Sequence, residues 1–271
     1  MTPVDTLINT AATQPDHAPR REALVFMGIQ ASIEPFETQR FEVLAEELER
    51  RITVADAPGW GHGGTLSAQQ RADLRRGLFD SVAEPMVMAA IKQTPELSTR
   101  PATVVGYSMG ASLAAAAAAS DRLDVATLVL VEPVGIRRWN PLALLRAVRH
   151  EDQFTDDYLS RNPADAWESW DRRGEDPPPH RWADLATLGF GISRGGIMRD
   201  LERAAVRGKL RELQIVRAAS SQLCHRTDVE SVAARATAMG VATRVHEIPG
   251  HHQVWQSLPD VAALAQMLEL E

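Results

Sequence analysis

The sequence predicts an α/β protein: an open, mostly parallel sheet flanked by helices, with a helical insertion after the strand that ends near Val131. Three observations predict it. Short apolar runs are continuous rather than alternating, as in strands buried on both faces. Segments with helical spacing separate these runs, so the connections are crossovers rather than hairpins. One stretch, roughly residues 135–210, contains no convincing strand.

The elements follow in order. Residues 1–22 are polar, carry Pro3, Pro15 and Pro19, and read as a loose arm. Residues 23–28, ALVFMG, form a first strand ending at a glycine. Residues 36–49 place Phe36, Phe41, Val43, Leu44 and Leu48 at helical spacing, and residues 51–56 form a second strand. The turn-rich segment from Pro58 to Gly64 follows it. Ser67 and Gln70 have the form of a capping box opening a long helix that Pro85 should kink or divide. Residues 101–106 are a third strand, residues 109–120 a helix of nearly pure alanine, and residues 125–131 a fourth strand. A helix with so little side-chain bulk can lie close to a sheet.

The insertion offers helices at 141–149, 155–170, 180–188 and 198–209, interrupted by Pro177-Pro178-Pro179. Strands at 213–218 and 242–248 complete the sheet; Thr227 to Glu230 caps the helix between them, and residues 259–270 close the chain as an amphipathic helix. Residues 1–134 and 211–271 therefore read as the core, and residues 135–210 as a helical lid.

Composition excludes several functions. The chain has 271 residues, 44% of them hydrophobic, enough for a substantial core. Lys and Arg total 29 against 36 Asp and Glu, a formal charge of −7, which argues against nucleic acid as a partner. One cysteine, Cys224, excludes an intrachain disulfide and fits a reducing compartment. No secretory signal or membrane-length apolar run is visible, so the expectation is a soluble, cytoplasmic protein acting on a small molecule. Nothing bears on oligomeric state.

Gly106-Tyr107-Ser108-Met109-Gly110 lies where the third strand turns into the alanine helix. Such a G-x-S-x-G turn holds a serine in strained geometry with its hydroxyl above the sheet, and its glycines avoid clashes with neighbouring backbone. The helix N-terminus behind Ser108 offers oriented N–H groups to a developing oxyanion. The plainer reading is a tight turn with an N-capping serine.

With these residues in place, the sequence resembles the α/β-hydrolase superfamily over nearly the whole chain from about Ala23. Met27-Gly28-Ile29-Gln30 is similar to the family's oxyanion strand, with Met27 in place of the usual histidine, and Asp56-Ala57-Pro58-Gly59-Trp60-Gly61 is similar to its Asp-x-Pro-Gly-x-Gly turn. The insertion falls where the family carries its lid. The N-terminal arm departs from the pattern, since members usually begin with two further antiparallel strands.

The resemblance implies a Ser–acid–His order along the chain. Only His251 and His252 follow the last predicted strand. Gly-His is common in the family and points to His251; the spacing from His252 to Pro259 points to His252, which is favoured. The usual acid is absent: Ala219 to Cys224 carries no carboxylate. Asp228 belongs to a helix start, where the helix dipole suffices to explain it. Glu132, after the buried run Leu128-Val129-Leu130-Val131, is the preferred acid, with Asp228 or no acid as alternatives.

The implied chemistry is acyl transfer through Ser108, with the oxyanion held by the N–H of Met109 and that of Ile29 or Gln30. No cofactor is called for. Neither zinc-ligand spacing around Cys224-His225 nor a phosphate-loop lysine after Gly59–Gly64 is present. A serine nucleophile disfavours the aspartate-dependent dehalogenase and epoxide-hydrolase branches, while C–C bond hydrolysis and perhydrolysis stay open.

Six tryptophans stand out, four of them in the insertion. Trp60, Trp139, Trp167, Trp182 and Trp255 are candidate linings of an apolar pocket above Ser108; the bland alternative is that the lid uses them, with Trp170, as its own core. The glycine-rich run 189–196 reads as a hinge. Two functions follow: a serine hydrolase acting on an ester, thioester or lactone with an apolar or aromatic portion, or a non-catalytic binding protein that keeps the scaffold.

Overall fold

The computed structural model describes residues 10–13, 21–29, 31–60, 63–164, 166, 181–268 and 270. A seven-stranded sheet runs through the molecule in the order β1-β3-β2-β4-β5-β6-β7. Its strands are β1 (Thr10–Thr13), β2 (Arg21–Phe26), β3 (Arg50–Ala55), β4 (Ala102–Tyr107), β5 (Val125–Val131), β6 (Glu212–Ala218) and β7 (Ala242–Ile248). Every pairing is parallel except β1 on β3. The six strands expected from apolar runs are all present. Interior strands β4 and β5 are buried along their whole length, as continuous apolar runs require, whereas edge strand β7 is half exposed.

Helices α1 (Pro35–Leu48), α2 (Ala68–Arg75), α3 (Asp80–Gln93) and α4 (Gly110–Ala118) precede β5. Between β5 and β6 lie α5 (Pro141–Asp152), α6 (Thr155–Leu159), α7 (Trp182–Ser193) and α8 (Ile197–Val206). Helices α9 (Arg226–Ala238) and α10 (Leu258–Met267) complete the chain. One apolar core lies on the α2–α4 face of the sheet and receives Ile197, Leu201 and Ala204 of α8. The other lies under α1 and α10 and contains Phe41, Leu44, Val261 and Leu264. Among the described residues, no helix is long and apolar enough to cross a membrane.

Several expectations are corrected. Part of the polar arm is strand: β1 adds antiparallel to β3, with Thr10 opposite Ala55. The long helix after Ser67 divides at Gly77 (φ 74°), not at Pro85, which sits inside α3. Proline cannot donate to the carbonyl four residues back, that of Ser81. Here the side-chain amide of Gln70 donates to the Ser81 oxygen at 3.0 Å, so the helix continues past the proline. The run 189–196 is no free hinge, because α7 extends through Ser193 and only the turn at Gly195 follows. Thr227 caps nothing; His225 is the N-cap residue of α9. The expected helix at 155–170 ends as α6 at Leu159, and residues 167–180, with Pro177 to Pro179, lie outside the described residues.

Candidate active site

Three chain reversals, at the C-terminal ends of β4, β5 and β7, build the site. Gly106 and Gly110 permit the first. A Cβ on Gly106 would lie 2.4 Å from the Gly110 oxygen and 2.7 Å from Ala114 Cβ, and one on Gly110 would lie 2.1 Å from the Phe26 oxygen. The alanine helix is therefore pressed against β2 and β4 as closely as its small residues allow. Between the glycines Ser108 adopts φ 56°, a left-handed conformation unfavourable for a residue with a side chain. Its N–H donates to the Val131 oxygen at 2.9 Å, extending the β4–β5 ladder into the turn.

Glu132 makes the second reversal at the end of β5, also with a positive φ, of 50°. Glu49, Ser108 and Glu132 are the non-glycine residues with this backbone among those described, so two of three meet at one place. The Glu132 N–H donates to the Val216 oxygen at 2.8 Å while its side chain, 0% exposed, reaches under the third reversal.

That reversal follows β7 and carries His252 at the head of a short 3-10 turn, His252–Gln256. His252 Nδ1 lies 2.8 Å from Glu132 Oε2, and Nε2 lies 2.9 Å from Ser108 Oγ. The carboxylate's other oxygen accepts the Ala218 N–H at 2.5 Å. A carboxylate accepts only, so Nδ1 carries the proton that faces it, and Nε2 is left to accept from the serine hydroxyl. His252 is only 4% exposed, so bulk water does not compete for these bonds.

Aromatic packing fixes the imidazole plane. Tyr107 stacks with both His252 and Trp255, with centroids 5.4 and 5.1 Å apart. Its hydroxyl donates to the His252 carbonyl at 2.9 Å. Burial, and secondarily the nearby Glu132 charge, raise the Tyr107 phenol well above its ordinary range. Behind Trp255, fully buried Arg40 donates to the Trp255 carbonyl and to Gln256 Oε1 and pairs with Glu37 at 3.0 Å.

The other candidates fall in distinct places. His251 does not reach the serine; its ring stacks on Phe154, with centroids 3.5 Å apart. Asp228 pairs with Arg137 at 3.5 Å on the surface. Met109, the residue after Ser108, leads into the first turn of α4, where helix geometry leaves N–H groups without intrahelical acceptors. The loop after β2 passes beside the serine: a Cβ on Gly28 would sit 3.5 Å from Ser108 Cβ. Ile29 in that loop lines the cavity, and Gln30 lies outside the described residues.

Ser108 and His252 open onto a cavity of about 1010 Å³, lined on the insertion side by Leu144, Leu145, Leu185 and Phe190. Trp60, Trp182 and Trp255 line it as well. Trp139 does not: it packs under the Arg137 guanidinium at 3.9 Å and donates to the Val134 carbonyl. Trp167 and Trp170 lie outside the described residues.

The model of the alpha/beta hydrolase family matches residues 31–265. The chain belongs to that family. Among solved structures it is similar to a lipase-esterase related protein from Clostridium acetobutylicum ATCC 824, with TM-score 0.65, 10% identity, and 96% of this chain and 97% of that one covered. It is also similar to E-2-(acetamidomethylene)succinate hydrolase, with TM-score 0.64, 19% identity and coverage of 97% and 96%. A thioesterase domain from the curacin biosynthetic pathway matches with TM-score 0.60 and 17% identity, covering 96% and 94%. At such identities the likeness carries the fold alone. Comparison with curated proteins gave no significant match.

Sequence reading passed over Glu37, Arg40 and Tyr107, all packed around the His252–Trp255 turn. Tyr107 had a signal, since it occupies the first variable position of the G-x-S-x-G turn. Glu37 and Arg40 stand three apart on α1, a spacing that pairs charges on one helix face, but the Trp255 carbonyl that Arg40 reaches lies 215 residues away and left no signal.

Proposed function

We propose that this alpha/beta hydrolase is a serine hydrolase that cleaves a carboxylic ester, thioester or lactone with an apolar or aromatic portion. One observation carries the reading: the unbroken relay from Glu132 through His252 to Ser108, closed by contacts of 2.8 and 2.9 Å. His252 takes the Ser108 proton as the hydroxyl oxygen attacks the acyl carbon. Glu132 holds the imidazole in the required tautomer and stabilises the imidazolium that forms. Backbone N–H groups of Met109 and of the Ile29 loop receive the oxyanion. The imidazolium then protonates the leaving oxygen or sulfur, and an acyl group remains on Ser108. Water, deprotonated by His252, releases it as the acid.

The apolar walls from α5 and α7, together with Trp60, Trp182 and Trp255, support an apolar or aromatic substrate portion. The thioesterase and esterase-related neighbours support acyl chemistry. Reaction with a fluorophosphonate tests the reading. The wild type should form one covalent adduct and S108A none; a folded wild type that forms no adduct returns the chain to a binding scaffold without catalysis.

A further inference from the structure

Resting on the serine-hydrolase reading, we propose that Glu151, at the end of α5 in the insertion, is a positioning residue for His252. Its carboxylate is 0% exposed. One oxygen, Oε2, accepts the backbone N–H of His252 at 2.9 Å; the other, Oε1, accepts that of Gln222 at 2.5 Å. These donors come from the two loops that meet at the relay, one after β7 and one after β6. His251 Nδ1 also faces Oε2, at 3.5 Å. A buried carboxylate is costly unless its oxygens are satisfied. Among the described residues it spans two loops and is paired with no lysine or arginine.

The geometry gives this bridge a specific task. His252 must reach Glu132 and Ser108 at once, so its Cα has little latitude. Its carbonyl is fixed from the core by the Tyr107 hydroxyl, and its N–H is fixed from the insertion by Glu151. Neighbouring residues of the insertion extend the grip: the Tyr158 hydroxyl accepts the His251 N–H at 2.7 Å, and Asn162 Oδ1 accepts the Leu258 N–H at 2.6 Å. The α5–α6 corner thus sets the base as well as roofing the cavity.

The test uses E151Q, E132Q and the double variant on the full chain, with a p-nitrophenyl ester and a fluorophosphonate as probes. A glutamine amide accepts at one end only, so one of the two loops loses its anchor. We expect kcat and the fluorophosphonate labelling rate to fall together by ~10- to 100-fold with KM unchanged, the scale for misplacing a catalytic group by about 1 Å. In the E132Q background the same change should cost much less, because the alignment it protects is already lost. A purely structural role would lower the active fraction equally in both backgrounds, and such a multiplicative result overturns the proposal. So does wild-type kcat in folded E151Q. Should E151Q fail to fold, E151D carries the test: lowered kcat with unchanged KM supports the bridge, and wild-type kcat overturns it. Absence of labelling in the wild type instead overturns the hydrolase reading, and this inference with it.

Discussion

Replacing Glu132 by glutamine probes the relay at its least conventional member. Both carboxylate oxygens face donors: the Nδ1–H of His252 at 2.8 Å and the N–H of Ala218 at 2.5 Å, in a position with no solvent exposure. A glutamine side chain brings one acceptor and one donor to this pair of donors. If its oxygen faces Ala218, the amide NH2 points at Nδ1 and drives the imidazole proton to Nε2. The histidine then cannot accept from Ser108, which in a serine protease triad costs about 10⁴ in kcat. If its oxygen faces His252, the Ala218 N–H is stranded in the interior at about 1–3 kcal/mol. The expected E132Q enzyme therefore loses between about 10 and 10⁴ in kcat, with KM nearly unchanged, in p-nitrophenyl ester hydrolysis. D228N should match the wild type, because Asp228 pairs with Arg137 at the α9 start and, among the described residues, touches neither Ser108 nor His252. Circular dichroism establishes that each variant is folded. E132Q that retains full kcat, or D228N that loses it, refutes the assignment of the acid.

Further outcomes follow from the same coordinates. Both tyrosines of the chain, Tyr107 and Tyr158, have phenols raised above the ordinary range, chiefly by burial. An acid whose folded pKa is raised lends stability that is full below its unfolded value and lost as pH climbs above it. Ultraviolet titration should therefore show no phenolate through about pH 10, and then ionisation of both phenols as the protein unfolds; one phenol ionising in the folded protein near that pH contradicts the packing. G110A places a Cβ 2.1 Å from the Phe26 oxygen. It should cost about 1–3 kcal/mol or more in urea unfolding, whereas a neutral effect would mean that α4 can move off the sheet.

What was legible in the sequence divides by the range of the forces involved. β2, β4 and β5 announced themselves because a strand buried on both faces must be apolar, whereas β7, largely exposed at the sheet edge, carries Arg244, His246 and Glu247 among its apolar residues. Ser108 was legible because the strained turn needs its glycines within two residues on either side. Strand β1 was hidden: Thr10–Thr13 is short and polar, and its pairing with β3 supplies the order its own composition does not. The break at Gly77 was assigned to Pro85 because the rescue of the Ser81 carbonyl comes from Gln70, on another helix. Glu132 could be proposed because a carboxylate ending a buried strand lacks a surface explanation. Glu151 could not, since its partners lie 71 and 101 residues away and its helix reads as ordinarily amphipathic. The tryptophans divide the same way: Trp182, 66% exposed, borders the cavity, whereas Trp139 is held by Arg137 outside it.

Capture of the acyl-enzyme tests the central claim most directly. Wild-type protein turning over a p-nitrophenyl ester, quenched in acid within its first turnovers, should gain the mass of one acyl group. Proteolysis should place that group on the peptide containing Ser108, and H252A should show none. Turnover with no mass gain, or an acyl group on any other residue, would contradict a covalent mechanism at Ser108.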